Sequence, residues 1–297
     1  MKTILVPTDF SIHALYALKA AASIARKVKA EIILVHNYTM PSESFSNIYF
    51  YDELNKELKE MANEQLKDLL SKSFLRGIPT QKQLLSNKKL WEVAVDKRFK
   101  DVDLIVMGSH GKSGLNEFFI GSNTEKVIRY SNAPVLSIKE ENSDFDIKKM
   151  VFASNFYGES FSAFEKIKFF ADLYYAHIEL LKVITPKNFE TTPVSLRLMK
   201  DFAIKFKLTK YTINTYNATS IEKGITDFSN EVEADLIAME THGRTGIVHL
   251  INGSLAEDVA KHENRPVLSV KIKDIPANIS GLNWYMKHIE STSLENR

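Results

Sequence analysis

The chain has 297 residues, with 39 Lys plus Arg against 37 Asp plus Glu, a formal charge of +2 and no cysteine. At about 150 residues per domain the length predicts two domains, and 44% hydrophobic with 26% charged residues is the composition of a folded chain, not a disordered one. The near-neutral charge gives no general pull toward nucleic acid or an acidic membrane, and without cysteine there is no disulfide, thiolate metal site, cysteine nucleophile or iron–sulfur cluster.

The first nine residues, MKTILVPTD, carry too short an apolar stretch for a signal peptide. No later run approaches the ~20 apolar residues that span a bilayer, so a cytoplasmic protein without a membrane partner is expected. In chain order, strands are predicted at 2–7, 31–36, 79–85, 103–107 and 134–138. Helices are predicted between them, near 11–28, 51–76, 88–100 and 116–131. Ile32–Val35 and Leu104–Met107 are continuously apolar, the mark of strands covered on both faces of a parallel sheet. Ser11 reads as the N-cap of a helix whose apolar positions include Leu15, Leu18, Ala22 and Ala25. Pro41–Asp52, with Phe45, Tyr49, Phe50 and Tyr51, reads as a loop packing its own aromatics or as a lid. Lys97-Arg98-Phe99-Lys100 reads as a solvated helix face. A second series of strands follows near 149–153, 177–183, 210–216, 235–239 and 266–270. Strands alternating with helices predict an α/β, doubly wound fold, once per half.

The halves are copies. Residues 103–139 and 235–271 align without a gap. His110, Gly111, Gly114, Gly121, Ser122, Pro134 and Ser137 recur as His242, Gly243, Gly246, Gly253, Ser254, Pro266 and Ser269. Ile4–Phe10 matches Met150–Phe156. Each copy is a whole domain, 1–140 and 148–272, joined by the charged stretch ENSDFDIKK. Residues 273–297 form a tail with a Trp284-Tyr285-Met286 cluster, either a loose end or an arm over a domain or partner.

In open parallel sheets, ligands lie beyond the carboxyl ends of the strands. Two segments there carry unusual chemistry, Pro7-Thr8-Asp9 after the first strand and Gly108–Gly114 after the fourth. Gly121-Ser122 then opens a helical run from Asn123. Glycines let the backbone approach a ligand, and free N–H groups at a helix start favour phosphate. A Walker A loop is excluded because position 106 is Val, and G-x-G-x-x-G because position 110 is His. No G-x-S-x-G or H-E-x-x-H occurs. No catalytic residue or metal-ligand set is assigned. His110 and His242 read as loop hydrogen-bonding residues, and Lys112 and Arg244 as phosphate-neutralising or solvated cations.

The spacing that fits is G-x2-G-x9-G-[ST], on Gly108, Gly111, Gly121 and Ser122. With Pro7-Thr8-Asp9 it resembles the universal stress protein family, in both copies. The resemblance implies two tandem doubly wound, Rossmann-like domains of the adenine-nucleotide alpha-hydrolase type, forming a pseudo-dimer through their last strands. It implies ATP, ADP or AMP, with or without Mg²⁺, as cofactor. By resemblance Pro7, Thr8 and Asp9 meet the ribose side, Asn37 lies by adenine, and Met107 and Gly108 lie near the ribose. His110, Gly111, Lys112, Gly121, Ser122 and the amide of Asn123 line the phosphates. Copy two departs from the pattern. Asn155 replaces Asp9 and Glu240 replaces Gly108, while Gly243, Gly253 and Ser254 remain. A second site there would have to tolerate a carboxylate near polyphosphate. The implied function is a nucleotide-binding stress protein acting as sensor or switch. A slow ATPase and a protein binding a non-nucleotide ligand or a partner stand as alternatives. The chain is expected as a monomer or a homodimer, with no specific nucleic-acid partner.

Overall fold

A computed structural model describes residues 1–40, 48–109, 122–141, 144–241 and 255–272. The chain divides into two compact units, Met1–Phe145 and Asp146–Arg297. In unit 1, β1 (Thr3–Thr8), β2 (Glu31–Tyr38), β3 (Thr80–Ser86), β4 (Leu104–Gly108) and β5 (Val135–Ile138) form a sheet ordered β3-β2-β1-β4-β5. Every pairing in it is parallel. The strand order reverses direction at β1, so the ends of β1 and β4 flank the switch point where such folds hold ligands. The connecting helices are α1 (Ile12–Val28), α2 (Ile48–Leu70), α3 (Leu90–Ala94) and α4 (Ser122–Tyr130).

Unit 2 repeats the plan. Its strands are β6 (Lys149–Ala153), β7 (His177–Ile184), β8 (Tyr211–Asn217), β9 (Leu236–Thr241) and β10 (Val267–Lys271), ordered β8-β7-β6-β9-β10 and again all parallel. Its helices are α5 (Phe161–Tyr174), α6 (Thr192–Lys205), α7 (Ile221–Glu231) and α8 (Leu255–His262). The doubly wound fold expected from the alternation is present twice. Ile4, Val6, Ile32, Leu34, Leu104 and Val106 are fully buried, as continuously apolar strands require.

Local chemistry explains where the helices begin and end. Ser11 caps α1, its hydroxyl accepting the Ala14 N–H at 3.2 Å. The helix expected over 51–76 stops at Leu70. Ser71 donates its hydroxyl to the Asp68 carbonyl, and Lys72 is extended before a 3-10 turn at Ser73–Leu75. The helix expected over 88–100 is broken in two. Asp96 accepts the Arg98 N–H at 3.0 Å and starts a second 3-10 turn, Lys97–Phe99. The basic run there is therefore a turn and not a helix face, and Phe99 within it is buried. The aromatic stretch of copy one also differs from a loop. Ile48–Asp52 form the start of α2, which has 23 residues where α6 has 14; residues 41–47 lie outside the described residues, as does the tail, 273–297. The inter-copy stretch is not all solvated, for Phe145 and Ile147 are buried.

The duplication extends to the polar anchors. Asp103 accepts the N–H groups of Lys2 and Thr3 at 2.6 and 3.1 Å, and Asp235 accepts those of Lys148 and Lys149 at 2.9 and 2.8 Å. One carboxylate in each unit thus ties the first strand to the start of the fourth. We expect Asp103→Ala and Asp235→Ala to cost similar amounts, about 1–2 kcal/mol each, read as a lowered urea midpoint.

Candidate functional site

The end of β1 in unit 1 turns sharply. Phe10 sits at φ 62°, a left-handed value that costs a non-glycine residue about 1–2 kcal/mol. Two side chains hold the turn. Thr8 Oγ1 accepts the Phe10 N–H at 3.1 Å, and Asp9 Oδ1 accepts the Ser11 N–H at 3.0 Å. Pro7 has no N–H, and the ladder to β4 covers Ile4 and Leu5, so Pro7 lies past it. His36, paired with Thr8 in register, donates from Nδ1 to the Thr8 carbonyl at 2.7 Å and meets Phe10 at 4.3 Å between ring centroids, the rings tilted by 41°. His13, in the first turn of α1, donates from Nδ1 to the Lys139 carbonyl at 3.0 Å.

Gly108 ends β4 against the start of α1. A Cβ there would lie 2.7 Å from the His13 carbonyl carbon and 3.0 Å from the Ala14 nitrogen. Both are backbone atoms, so a side chain at 108 requires the helix to move. Thr124 of α4 donates its hydroxyl to the Gly108 carbonyl at 3.1 Å. The start of α4, where Ser122 and Asn123 stand, is thereby tied to the end of β4, as an anion-binding helix start would be.

The residues expected to hold ligand fall into three groups. Thr8, Asp9 and Gly108 come together around the turn. Met107 is 3% exposed, packed in the core, and Asn37 spends its side chain elsewhere: its amide donates to the Lys88 carbonyl at 2.7 Å and its oxygen accepts the Lys88 N–H at 3.0 Å. His110, Gly111, Lys112 and Gly121 lie outside the described residues, with His242, Gly243, Arg244, Gly253 and Ser254 of the second copy. Beside the turn, a crevice of about 540 Å³ opens between α1 and α2, walled by Phe10, Ile12, Leu15 and Leu69 and rimmed by Glu64 and Asp68. Among the described residues no group of three or more His, Asp or Glu could hold a metal ion.

Unit 2 keeps the turn and changes its chemistry. Phe156 is at φ 63°. Ser154 Oγ accepts the Phe156 N–H and Asn155 Oδ1 the Tyr157 N–H, each at 2.9 Å. Asn155 thus preserves the acceptor of Asp9 without its charge. Glu240, in the place of Gly108, bends its carboxylate onto two hydroxyls, Ser154 at 2.7 Å and Ser160 at 2.8 Å. A 3-10 turn, Gly158–Ser160, precedes α5 here, where α1 follows its cap directly. The space between α5 and α6 is filled with rings: Phe202 lies 4.6 Å from Phe164 and 4.7 Å from Phe206.

Sequence reasoning passed over one group in unit 2. Lys182, 5% exposed at its side chain, pairs with Glu190 at 2.7 Å. Burial pushes its ammonium below its ordinary value, opposed by the Glu190 carboxylate. The signal was present, because a lysine inside the apolar run of β7 must find a buried partner.

The fold and the strand-end turns define a tandem pair of doubly wound α/β domains. Residues 1–139 and 146–271 both match the universal stress protein family, and the chain belongs to that family. A universal stress protein of Methanocaldococcus jannaschii is 34% identical over 160 residues, covering 48% of this chain and 97% of its own. Universal stress protein YxiE of Bacillus subtilis is 30% identical over 143 residues, covering 46% of this chain and 97% of its own. The crystal structure of a universal stress protein from Archaeoglobus fulgidus superposes with a TM-score of 0.68 at 22% identity, over 92% of this chain and 97% of that one. That last likeness shows the shared fold across both units. No helix among the described residues is long and apolar enough to cross a membrane.

Two outcomes test the site as a structure. Gly108→Ala should lower stability by about 2 kcal/mol without any ligand present, read by urea denaturation, because the new methyl meets helix backbone. Asp96 anchors the segment that Asn37 clamps. Arg98 and Lys88 bonded to it hold its carboxyl well below the usual range. Its contribution is full above the ordinary value of 3.8 and is lost as pH falls below it. Asp96→Asn should therefore cost up to about 1 kcal/mol at pH 7, with the gap in Tm closing as the melts are taken to acid.

Proposed function

We propose that this protein is an adenine-nucleotide-binding stress-response protein whose unit 1 holds the nucleotide as a sensor or switch. The observation that carries the reading is the contrast between the two strand-end turns. In both units the turn needs only a hydrogen-bond acceptor at its second position, which Asp9 and Asn155 both supply. Unit 1 nevertheless keeps a carboxylate there, and beside it a strand end with no side chain. The carboxylate suits ribose hydroxyls, and the bare strand end lets α1 pack close enough to hold that carboxylate at the switch point. The complete glycine and serine spacing on Gly108, Gly111, Gly121 and Ser122 belongs to the same unit. Phosphates would lie on the free N–H groups at the start of α4, with Mg²⁺ neutralising charge when present. Binding is the proposed activity, since the features that support the reading, Asp9 and the glycine and serine spacing, suit holding a nucleotide.

A second reading has one observation behind it. The crevice between α1 and α2 is walled mainly by apolar side chains, which suits a non-nucleotide ligand in the same unit.

The test is calorimetric titration with ATP and Mg²⁺. One site per chain is expected. Asp9→Asn should weaken binding at least tenfold, about 1.4 kcal/mol, and leave Tm unchanged because the turn keeps its acceptor. No binding at millimolar nucleotide overturns the reading in favour of the second.

A further inference from the structure

Unit 2 has an occupant of its own at the end of β7. The Glu190 carboxylate collects three donors: Lys182 Nζ at 2.7 Å and Ser195 Oγ at 2.6 Å on Oε2, and the Tyr157 hydroxyl at 3.1 Å on Oε1. Lys182 also donates to the Asn155 carbonyl at 3.1 Å and lies 4.9 Å from the centre of the Tyr157 ring. Burying such a pair costs several kcal/mol per ion unless each charge is well bonded. Three donors on one carboxylate meet that condition. The segment that brings Glu190 in is itself built: Asn188 Oδ1 accepts the Thr185 N–H at 2.7 Å, and its amide donates to the Val183 carbonyl at 3.2 Å.

The position matters as much as the bonds. Lys182 follows Leu181, which pairs with Ala153, as His36 follows Val35, which pairs with Pro7. In unit 1 an imidazole ring rests on the turn from this position. In unit 2 an ammonium rests on the turn, and a carboxylate from the chain covers the ammonium. Glu240 grips the same turn from the β9 side through Ser154 and Ser160. We propose that Thr185–Thr191 is a built-in latch, in which Glu190 fills a carboxylate receptor made by Lys182, Tyr157 and Ser195 and closes the strand-end site of unit 2 to nucleotide. This rests on the reading that such strand ends hold nucleotide. It goes further by assigning exclusion in unit 2 to the latch, and not to Glu240 alone.

Three full-length chains test it: the natural protein, Glu240→Gly, and Glu240→Gly with Lys182→His and Glu190→Ala. The last removes both members of the ion pair together, so that no charge is left buried alone. Titration with ATP and Mg²⁺ should give one site in the first two and two sites in the third. A second site in the natural protein, or in Glu240→Gly alone, overturns the latch. So does a cooperatively folded triple variant that stays at one site even with Asn155→Asp added, which restores the carboxylate that unit 1 has in Asp9. Hydrogen exchange gives a readout independent of nucleotide. In Lys182→His with Glu190→Ala, the amides of 185–191 should exchange at least tenfold faster while unit 1 is unchanged; equal rates there overturn the latch. If the natural protein binds no nucleotide, the proposed function fails, and the exchange result alone decides the latch. Exchange also decides where the triple variant fails to fold.

Discussion

The closest constraint in unit 1 is the contact between the end of β4 and the first turn of α1. The backbone of His13 and Ala14 lies so near Gly108 that no side chain fits between them. That contact sets where α1 can start, and so where the turn from Thr8 to Ser11 must reverse. The turn in turn requires a left-handed residue, Phe10, whose ring packs tilted against His36. Gly108 also offers its carbonyl to Thr124, which fixes the beginning of α4. One bare strand end therefore positions the carboxylate, the helix start and the aromatic floor of the site.

Unit 2 shows what happens when this constraint is relaxed. A glutamate can stand in the glycine's place because the chain there forms a 3-10 turn before its helix, and two serines take the carboxylate. On the same side lie the polar bonding at Lys182 and a cluster of edge-on and tilted phenylalanines between α5 and α6. The two units share topology, register and turn geometry. Among the described residues they differ in what meets the turn: Gly108 and His36 in unit 1, Glu240 and the Lys182–Glu190 pair in unit 2.

Much of the fold was legible because strand burial leaves a simple trace. Runs such as Ile32–Val35 and Leu104–Met107 are apolar on both faces, and the strands lie where those runs lie. The cap at Ser11 was legible because a hydroxyl before an amphipathic run has one obvious use. The break at Asp96 was not, since helical periodicity continues through Lys97–Lys100 and only the capture of Arg98 by Asp96 interrupts it. For the site, the glycine spacing and Asp9 could be read directly. That Gly108 serves helix packing could not, because its neighbours at 13 and 14 are close only after the sheet forms. The structural use of the Asn37 side chain was not legible either, since its amide closes a loop on Lys88, a partner 51 residues away. Lys182 stood out inside the apolar run of β7, but its partner Glu190 did not, because a glutamate in a polar segment resembles ordinary surface charge.

The paired turns have a consequence for how such a duplicated protein can change over generations. Asp9 and Asn155 both accept the N–H two residues on, at 3.0 and 2.9 Å, and Phe10 and Phe156 keep the same left-handed turn. A half can therefore gain or lose its charge without passing through a poorly folded ancestor. Ligand recognition in each copy is free to drift on a scaffold that does not register the difference, and a duplicated gene can keep one responsive half while the other takes up a different task.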